Sequence, residues 1–163
     1  MRKFKISSEF TVYDGLKELP EEVRYVMLKA VQARSNAYAP YSKFRVGAAL
    51  LMDNGDVVVG NNQENAAYPN GLCAERVAIY HAGAVYPGMP VRFLCVTAAS
   101  ELRKVTEAIP PCGSCRQTIA EYEENQNSPI PIYFMGDSGE IIMASSLSDL
   151  LPLIFSKDSL NNI

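Results

Sequence analysis

The chain has 163 residues, 48% of them apolar and 20% charged, a soluble globular balance with enough chain for one domain and a substantial core. Its formal net charge is -3, and its only basic cluster, Arg2, Lys3 and Lys5, sits at the extreme N-terminus, which argues against a polynucleotide partner. No apolar run is long enough to span a membrane and the N-terminus lacks the apolar stretch of a secretory signal; the 4 cysteines read as metal ligands or buried thiols of a cytoplasmic protein.

Residues 1–18 carry no clear periodicity beyond a turn at Asp14-Gly15. Leu19, Val23, Val26, Met27, Ala30 and Val31 recur at helical spacing. Pro20 stands near the start, with Glu21 and Glu22 in the first turn, so an amphipathic helix is predicted, ending before Pro40. Strands are expected at 44–52 and 56–60, joined through Asp53-Asn54-Gly55 as a hairpin. A helix should start near Cys73 and run to about Gly83, before a buried strand at 91–99. A second should run from near Cys112 to about Glu124. Strands at 130–135 and 140–144, joined through Asp137-Ser138-Gly139, and a short last helix near Ser148 complete the pattern. This order implies an α/β fold with a mixed sheet and helices on both faces.

The pairing of Cys73-Ala74-Glu75 with Pro111-Cys112-Gly113-Ser114-Cys115 carries the chemistry. Three thiolates can hold a metal, while one carboxylate stays unligated. A structural zinc site normally takes a fourth protein ligand, and none is obvious here, so the set fits a catalytic zinc with a position left for water. Cys112 and Cys115 sit three apart at a helix start, where both sulfurs can face one point. Three thiolates on one Zn²⁺ leave a net negative charge. Compensation is then expected from the two helix N-termini and from a donor such as Arg76, which could hydrogen-bond a sulfur.

Blander readings exist for each element. Arg76 could be a surface arginine in an exposed turn. Cys112 and Cys115 alone could be a redox pair at a helix start, although that leaves Cys73 and Glu75 unexplained. The three cysteines could hold a structural zinc in an interaction domain, which should tolerate loss of the Glu75 carboxylate. Cys95 falls inside a predicted strand and reads as a core thiol. His81, the only histidine, lies about two helical turns beyond Cys73, too remote to join its ligands, and leaves little room for Ser/His or Cys/His triads.

From roughly residue 20 to 156 the chain resembles the cytidine deaminase family, in its short, homotetrameric, three-cysteine branch. The resemblance rests on Ala39-Pro40-Tyr41-Ser42, on Phe44-x-Val46-Gly47-Ala48-Ala49, and on Gly60-x-Asn62-x-Glu64-Asn65-Ala66-x-Tyr68. It continues through Cys73-Ala74-Glu75-Arg76, Pro111-Cys112-x-x-Cys115-Arg116-Gln117, Leu150-Leu151-Pro152 and Phe155. Cys73 stands where the wider signature of zinc deaminases has His, a departure this branch shares.

The resemblance implies a three-layer α/β/α, cytidine deaminase-like fold around a mixed sheet of about five strands. It implies a single zinc-dependent deaminase domain over 1–163, with 1–18 as an N-terminal extension of unassigned structure. One Zn²⁺ per subunit would be held by Cys73, Cys112 and Cys115, with Glu75 as proton shuttle between water, the pyrimidine ring and the leaving amine. Asn62 and Glu64 would grip the ribose, Phe44 would stack on the base and the Ala66 N–H would hold a pyrimidine oxygen. By spacing alone, Asn62 and Glu64 read more simply as a polar turn and Phe44 as a core residue. Tyr68 and Phe155 match family positions near subunit junctions of a homotetramer, with core packing the plainer reading. The implied reaction is hydrolysis of cytidine and deoxycytidine to uridine and deoxyuridine plus ammonia, in pyrimidine salvage, on a free nucleoside and without nucleic acid or membrane. A deaminase of another aminated ring, such as blasticidin S, is the nearest alternative.

Overall fold

The computed structural model describes residues 1–161, so residues 162 and 163 of the domain expected over 1–163 lie outside it. The hairpin at its centre follows from the turn chemistry. Gly55 takes φ +87°, a left-handed value open to glycine, and its N–H donates to the Met52 carbonyl at 3.0 Å. The flanking strands are β2 (Phe44–Met52) and β3 (Val57–Asn61), in register from Gly47 opposite Asn61 to Leu51 opposite Val57. β2 is apolar on both faces because both faces are covered. Ala48, Leu50 and Met52 join one core cluster, while Ala49 and Leu51 join the other.

α1 (Glu21–Ser35) packs on one face of the sheet, with Val23, Val26, Met27, Ala30 and Ala33 buried; Val31 of the predicted stripe is only half-buried. Its acidic first turn and Arg34 in the last turn oppose the helix dipole. α2 (Ala74–Val85) and α3 (Gly113–Gln126) contribute Ala74, Ala78, Ile79, Ile119 and Ala120 to the core on the other face. The expected three-layer α/β/α arrangement is therefore present. β4 (Val91–Ser100) lies antiparallel to β2 and parallel to β5 (Ile132–Met135), which pairs antiparallel with β6 (Ile141–Ala144).

The sheet has six strands, not about five, in the order β1-β6-β5-β4-β2-β3. The additional strand, β1 (Phe10–Tyr13), lies in the N-terminal extension and pairs antiparallel with β6, Phe10 opposite Ala144 and Tyr13 opposite Ile141. Its four residues show no burial alternation to betray them; Tyr13 alone turns inward, its ring 6.3 Å from that of Tyr133. β5 starts later than expected because Pro131 has no N–H to give a ladder. The helix expected near Ser148 is a single 3-10 turn, Leu147–Asp149, capped by Ser146; α4 (Asp158–Asn161) follows further on. No helix among the described residues is long and apolar enough to cross a membrane.

Two glycines let helices close on the central hairpin. A Cβ on Gly47 would run into the Ala30 carbonyl of α1; one on Gly60 would lie 2.5 Å from both the Ala74 carbonyl and the Ala78 N–H nitrogen of α2. Those contacts are backbone, which cannot swing away. Gly60→Ala is therefore expected to cost about 1–3 kcal/mol and lower Tm by several degrees. Thermal unfolding followed by circular dichroism checks this; an unchanged Tm would mean that α2 is free to lift from the sheet.

Candidate active site

Cys73 and Cys112 each occupy the N-cap of a helix, α2 and α3, in extended backbone (φ -71°, ψ 154° and φ -68°, ψ 167°). Neither side chain caps its own helix, so both sulfurs remain available. The two helix starts meet: the Cys73 and Cys112 sulfurs are 3.7 Å apart, and those of Cys112 and Cys115 are 3.5 Å apart. All three sulfurs lie within 4.8 Å of one another. Tetrahedral zinc with Zn–S bonds of about 2.3 Å sets its sulfurs about 3.8 Å apart, so this spacing fits the ion.

Electrostatics point the same way. The Cys73 thiol is held well below the ordinary range: a hydrogen bond from the Cys115 thiol and the neighbouring Arg76 bring it down to about 5 in spite of burial. Cys115 is driven strongly upward by the proton it donates to Cys73, by burial and by the facing Glu75. Three thiolates at this spacing need a cation to coexist, and the two helix N-termini can offset only part of their charge.

Glu75, one residue inside α2, is only 5% exposed. Burial lifts its carboxyl to about 7, against the pull of its own backbone N–H. It is thus held close to the sulfurs at a pKa suited to taking and giving protons near neutrality. Arg76 places Nη2 4.0 Å from the Cys73 sulfur, a long contact, while its buried Nε has no hydrogen-bond partner. The expected donor is therefore present, with capacity to spare. A second arginine was not anticipated in this role. Arg116 donates from Nε to the Pro111 carbonyl at 2.8 Å and from Nη1 to the Leu150 carbonyl at 2.7 Å, tying the residue before Cys112 to the Leu147–Asp149 turn.

A cavity of about 600 Å³ opens over this cluster, with Cys73, Glu75 and Cys112 among its lining residues and Phe44, Asn62 and Glu64 lining it as well. The chain at 62–64 is held from two sides. The Tyr38 N–H donates to the Asn62 carbonyl at 3.0 Å and the Glu64 N–H to the Tyr38 carbonyl at 2.9 Å, while Gln63 and Leu72 exchange two backbone bonds of 2.9 Å. Asn62 accepts from the Val46 N–H at 2.7 Å and donates to the Phe44 carbonyl at 2.9 Å, which leaves one amide N–H for a ligand. Glu64 accepts from the Tyr41 and Ser42 N–H groups at 2.9 and 3.3 Å, both through Oε2. Desolvation opposes its ionisation, but Ser42 and these N–H groups hold its carboxyl below the ordinary range.

Ala66 does not line the cavity; it lies in the exposed loop between Asn65 and Tyr68, which do. Val96, Leu72, Ile109 and Pro110 also line it and were not foreseen. Ile109 and Pro110 stand just before the second cysteine motif, a placement that could have marked them; Val96 has no signal beyond its place in a buried strand. Cys95 is a core thiol, fully buried and donating to the Val23 carbonyl at 3.8 Å, and His81 is exposed further along α2.

Comparison with known proteins gives this geometry its relatives. The model for the cytidine and deoxycytidylate deaminase zinc-binding region matches residues 20–127. The chain belongs to that deaminase family. It is 40% identical over 141 residues to a cytidine deaminase of Sporosarcina psychrophila, covering 86% of this chain and 96% of that protein. It is 38% identical over 140 residues to that of Halalkalibacterium halodurans, covering 85% and 98%. Among solved structures, the cytidine deaminase of Burkholderia pseudomallei superimposes with a TM-score of 0.70 at 36% identity, covering 80% of this chain and 97% of that one. For a deaminase of this family the sulfur cluster is a zinc site, and the chain has the donors to fill it.

Removing the Arg76 guanidinium should loosen that site. Arg76→Ala is expected to lose zinc to a chelator about 10–100-fold faster than wild type, the usual scale for a residue that supports a metal ligand. Metal release followed with a colorimetric indicator checks this, and an unchanged rate would remove Arg76 from the site.

Proposed function

We propose that this chain hydrolyses cytidine and deoxycytidine to uridine and deoxyuridine with release of ammonia. The observation that carries the reading is the buried Glu75 carboxylate beside three convergent sulfurs in a cavity also lined by Phe44, Asn62 and Glu64. Cys73, Cys112 and Cys115 hold zinc, and zinc bound there supplies the Lewis acidity that lets water ionise near neutral pH. Glu75 moves the protons. It takes one from the water that adds to C4 of the pyrimidine and passes it to ring N3; it then takes the hydroxyl proton of the C4 adduct and delivers it to the amino nitrogen, so that the C4 carbonyl forms as the C–N bond breaks and ammonia leaves. Burial keeps that carboxyl near the middle of its useful range.

The far wall holds the nucleoside. Glu64 has a carboxylate oxygen, Oε1, that takes neither backbone bond and can accept from a sugar hydroxyl, and Asn62 has a second amide N–H to donate to it. Phe44, half-buried at the start of β2, offers a ring for the base to stack on. Tyr68 and Phe155 are both exposed, and Tyr68 stands at the cavity mouth, which supports a homotetramer in which neighbouring copies cover these rings. The free cysteines suit a reducing cytoplasm, and the product suits pyrimidine salvage.

Two experiments test this. With zinc-replete protein and cytidine, ammonia release and the ultraviolet change should appear in wild type. In Glu75→Gln they should fall by about 10²–10⁴-fold while zinc content is retained. Wild-type protein that binds zinc but leaves cytidine intact would overturn the reading.

Asn62→Ala should raise KM for cytidine substantially. Because the amide also ties β3 to β2, it should lower Tm as well, by the loss of bonds worth about 1 kcal/mol each. An unchanged KM would take Asn62 out of the binding wall.

A further inference from the structure

The segment before α1 carries four exposed apolar side chains for which the described residues offer no cover. Phe4, Ile6, Phe10 and Val12 are 77%, 45%, 41% and 52% exposed, and they alternate with polar residues at strand spacing. β1 bonds to β6 by one edge and ends the sheet order, so its other edge faces no strand among the described residues. Phe10 and Val12 stand opposite Ala144 and Ile142, on the sheet face that carries α2 and α3, so the stripe prolongs an apolar face beyond the cover of those helices. The family match begins only at residue 20, outside this segment. β1 itself covers only Phe10–Tyr13, and residues 4–9 lie outside any strand of the single chain, so a partner that pairs with them would lengthen β1. An edge strand with exposed apolar residues and no proline is a template for such pairing.

The pattern of the stripe identifies what pairs with it. Phe4-x-Ile6-x-Ser8-x-Phe10-x-Val12 reads as an apolar palindrome about Ser8. Laid antiparallel on itself about a two-fold axis at Ser8, it sets Phe4 against Val12, Ile6 against Phe10 and Ser8 against Ser8, all on one face. On the opposite face Lys5 meets Thr11 and Ser7 meets Glu9, which makes Lys5 of one copy the diagonal neighbour of Glu9 in the other. Symmetry makes this opposite-charge contact twice. A one-residue slip would turn every apolar side chain toward the polar face of its partner; a two-residue slip would keep the faces but leave an apolar end residue unmatched.

We propose that residues 4–12 form a self-pairing strand through which two copies of this chain join edge to edge, continuing the sheet across a two-fold axis at Ser8. The pairing satisfies the outward N–H and C=O groups of β1 and covers the stripe. It lies on a sheet edge, away from the cavity, and it does not depend on which substrate the cavity takes.

Site-specific cross-linking of the zinc-replete full chain tests it. Ser8→Cys should form a disulfide-linked pair under mild oxidation, because residues at the axis face each other. Lys3→Cys should not, since the two copies of residue 3 would lie at opposite ends of the paired strands. Adding Ile6→Lys to Ser8→Cys should abolish the cross-link. By sedimentation, Ile6→Lys alone should show a smaller mass than wild type at equal concentration, with turnover per chain unchanged. Failure of Ser8→Cys to link, equal linking at residue 3, or an unchanged mass for Ile6→Lys would each overturn the proposal.

Discussion

Three sulfurs that cannot all ionise alone are held within 4.8 Å of one another, and much of the fold is arranged around that constraint. Two come from N-caps, Cys73 and Cys112, so α2 and α3 must start at one point. For α2 to start there it must lie directly on β3, and Gly60 removes the side chain that would keep it off. For α3 to start there, the residue before Cys112 must be fixed, and Arg116 ties it to the turn after β6. The positive ends of both helices then face the negative ligands. The apolar core beneath serves this geometry as much as it serves stability.

The cavity follows from the same placement. Because Glu75 sits in the first turn of α2, it is buried beside Cys73. Its raised proton affinity has a burial origin, whereas Glu64 keeps its charge through N–H donors at the open side. Two carboxylates in one cavity are thus tuned in opposite directions by their surroundings, one toward keeping its proton and one toward giving it up.

Much of this was legible in the sequence because it is local. A CxE and a CxxC at helix starts, an Asn-Gly turn between apolar runs, and alternating strand and helix patterns are each written within a few residues. Phe44, Asn62 and Glu64 needed the family resemblance to lift them above a polar turn and a core ring. What escaped was non-local. β1 has four residues and no burial alternation, and it is a strand only because β6 offers an edge some 130 residues later in the chain. Arg116 sits in plain view beside Cys115, but that its guanidinium spans two distant carbonyls is a matter of tertiary closeness. Ala66, named by a family motif, lies in the exposed loop between two residues that line the cavity, Asn65 and Tyr68.

The bonds that Asn62 and Glu64 already make to Phe44, Val46, Tyr41 and Ser42 have an energetic consequence for recognition. Both side chains have surrendered their rotamer freedom to the fold. A nucleoside bound there as proposed would meet a preorganised wall, and the ordering entropy, about 0.5–1.5 kcal/mol for each such side chain, would not be charged to binding. Selectivity at that wall would then come from mismatch. A ligand lacking a hydroxyl at the right place leaves a fixed donor and a fixed acceptor unanswered, and neither can turn aside to find another partner.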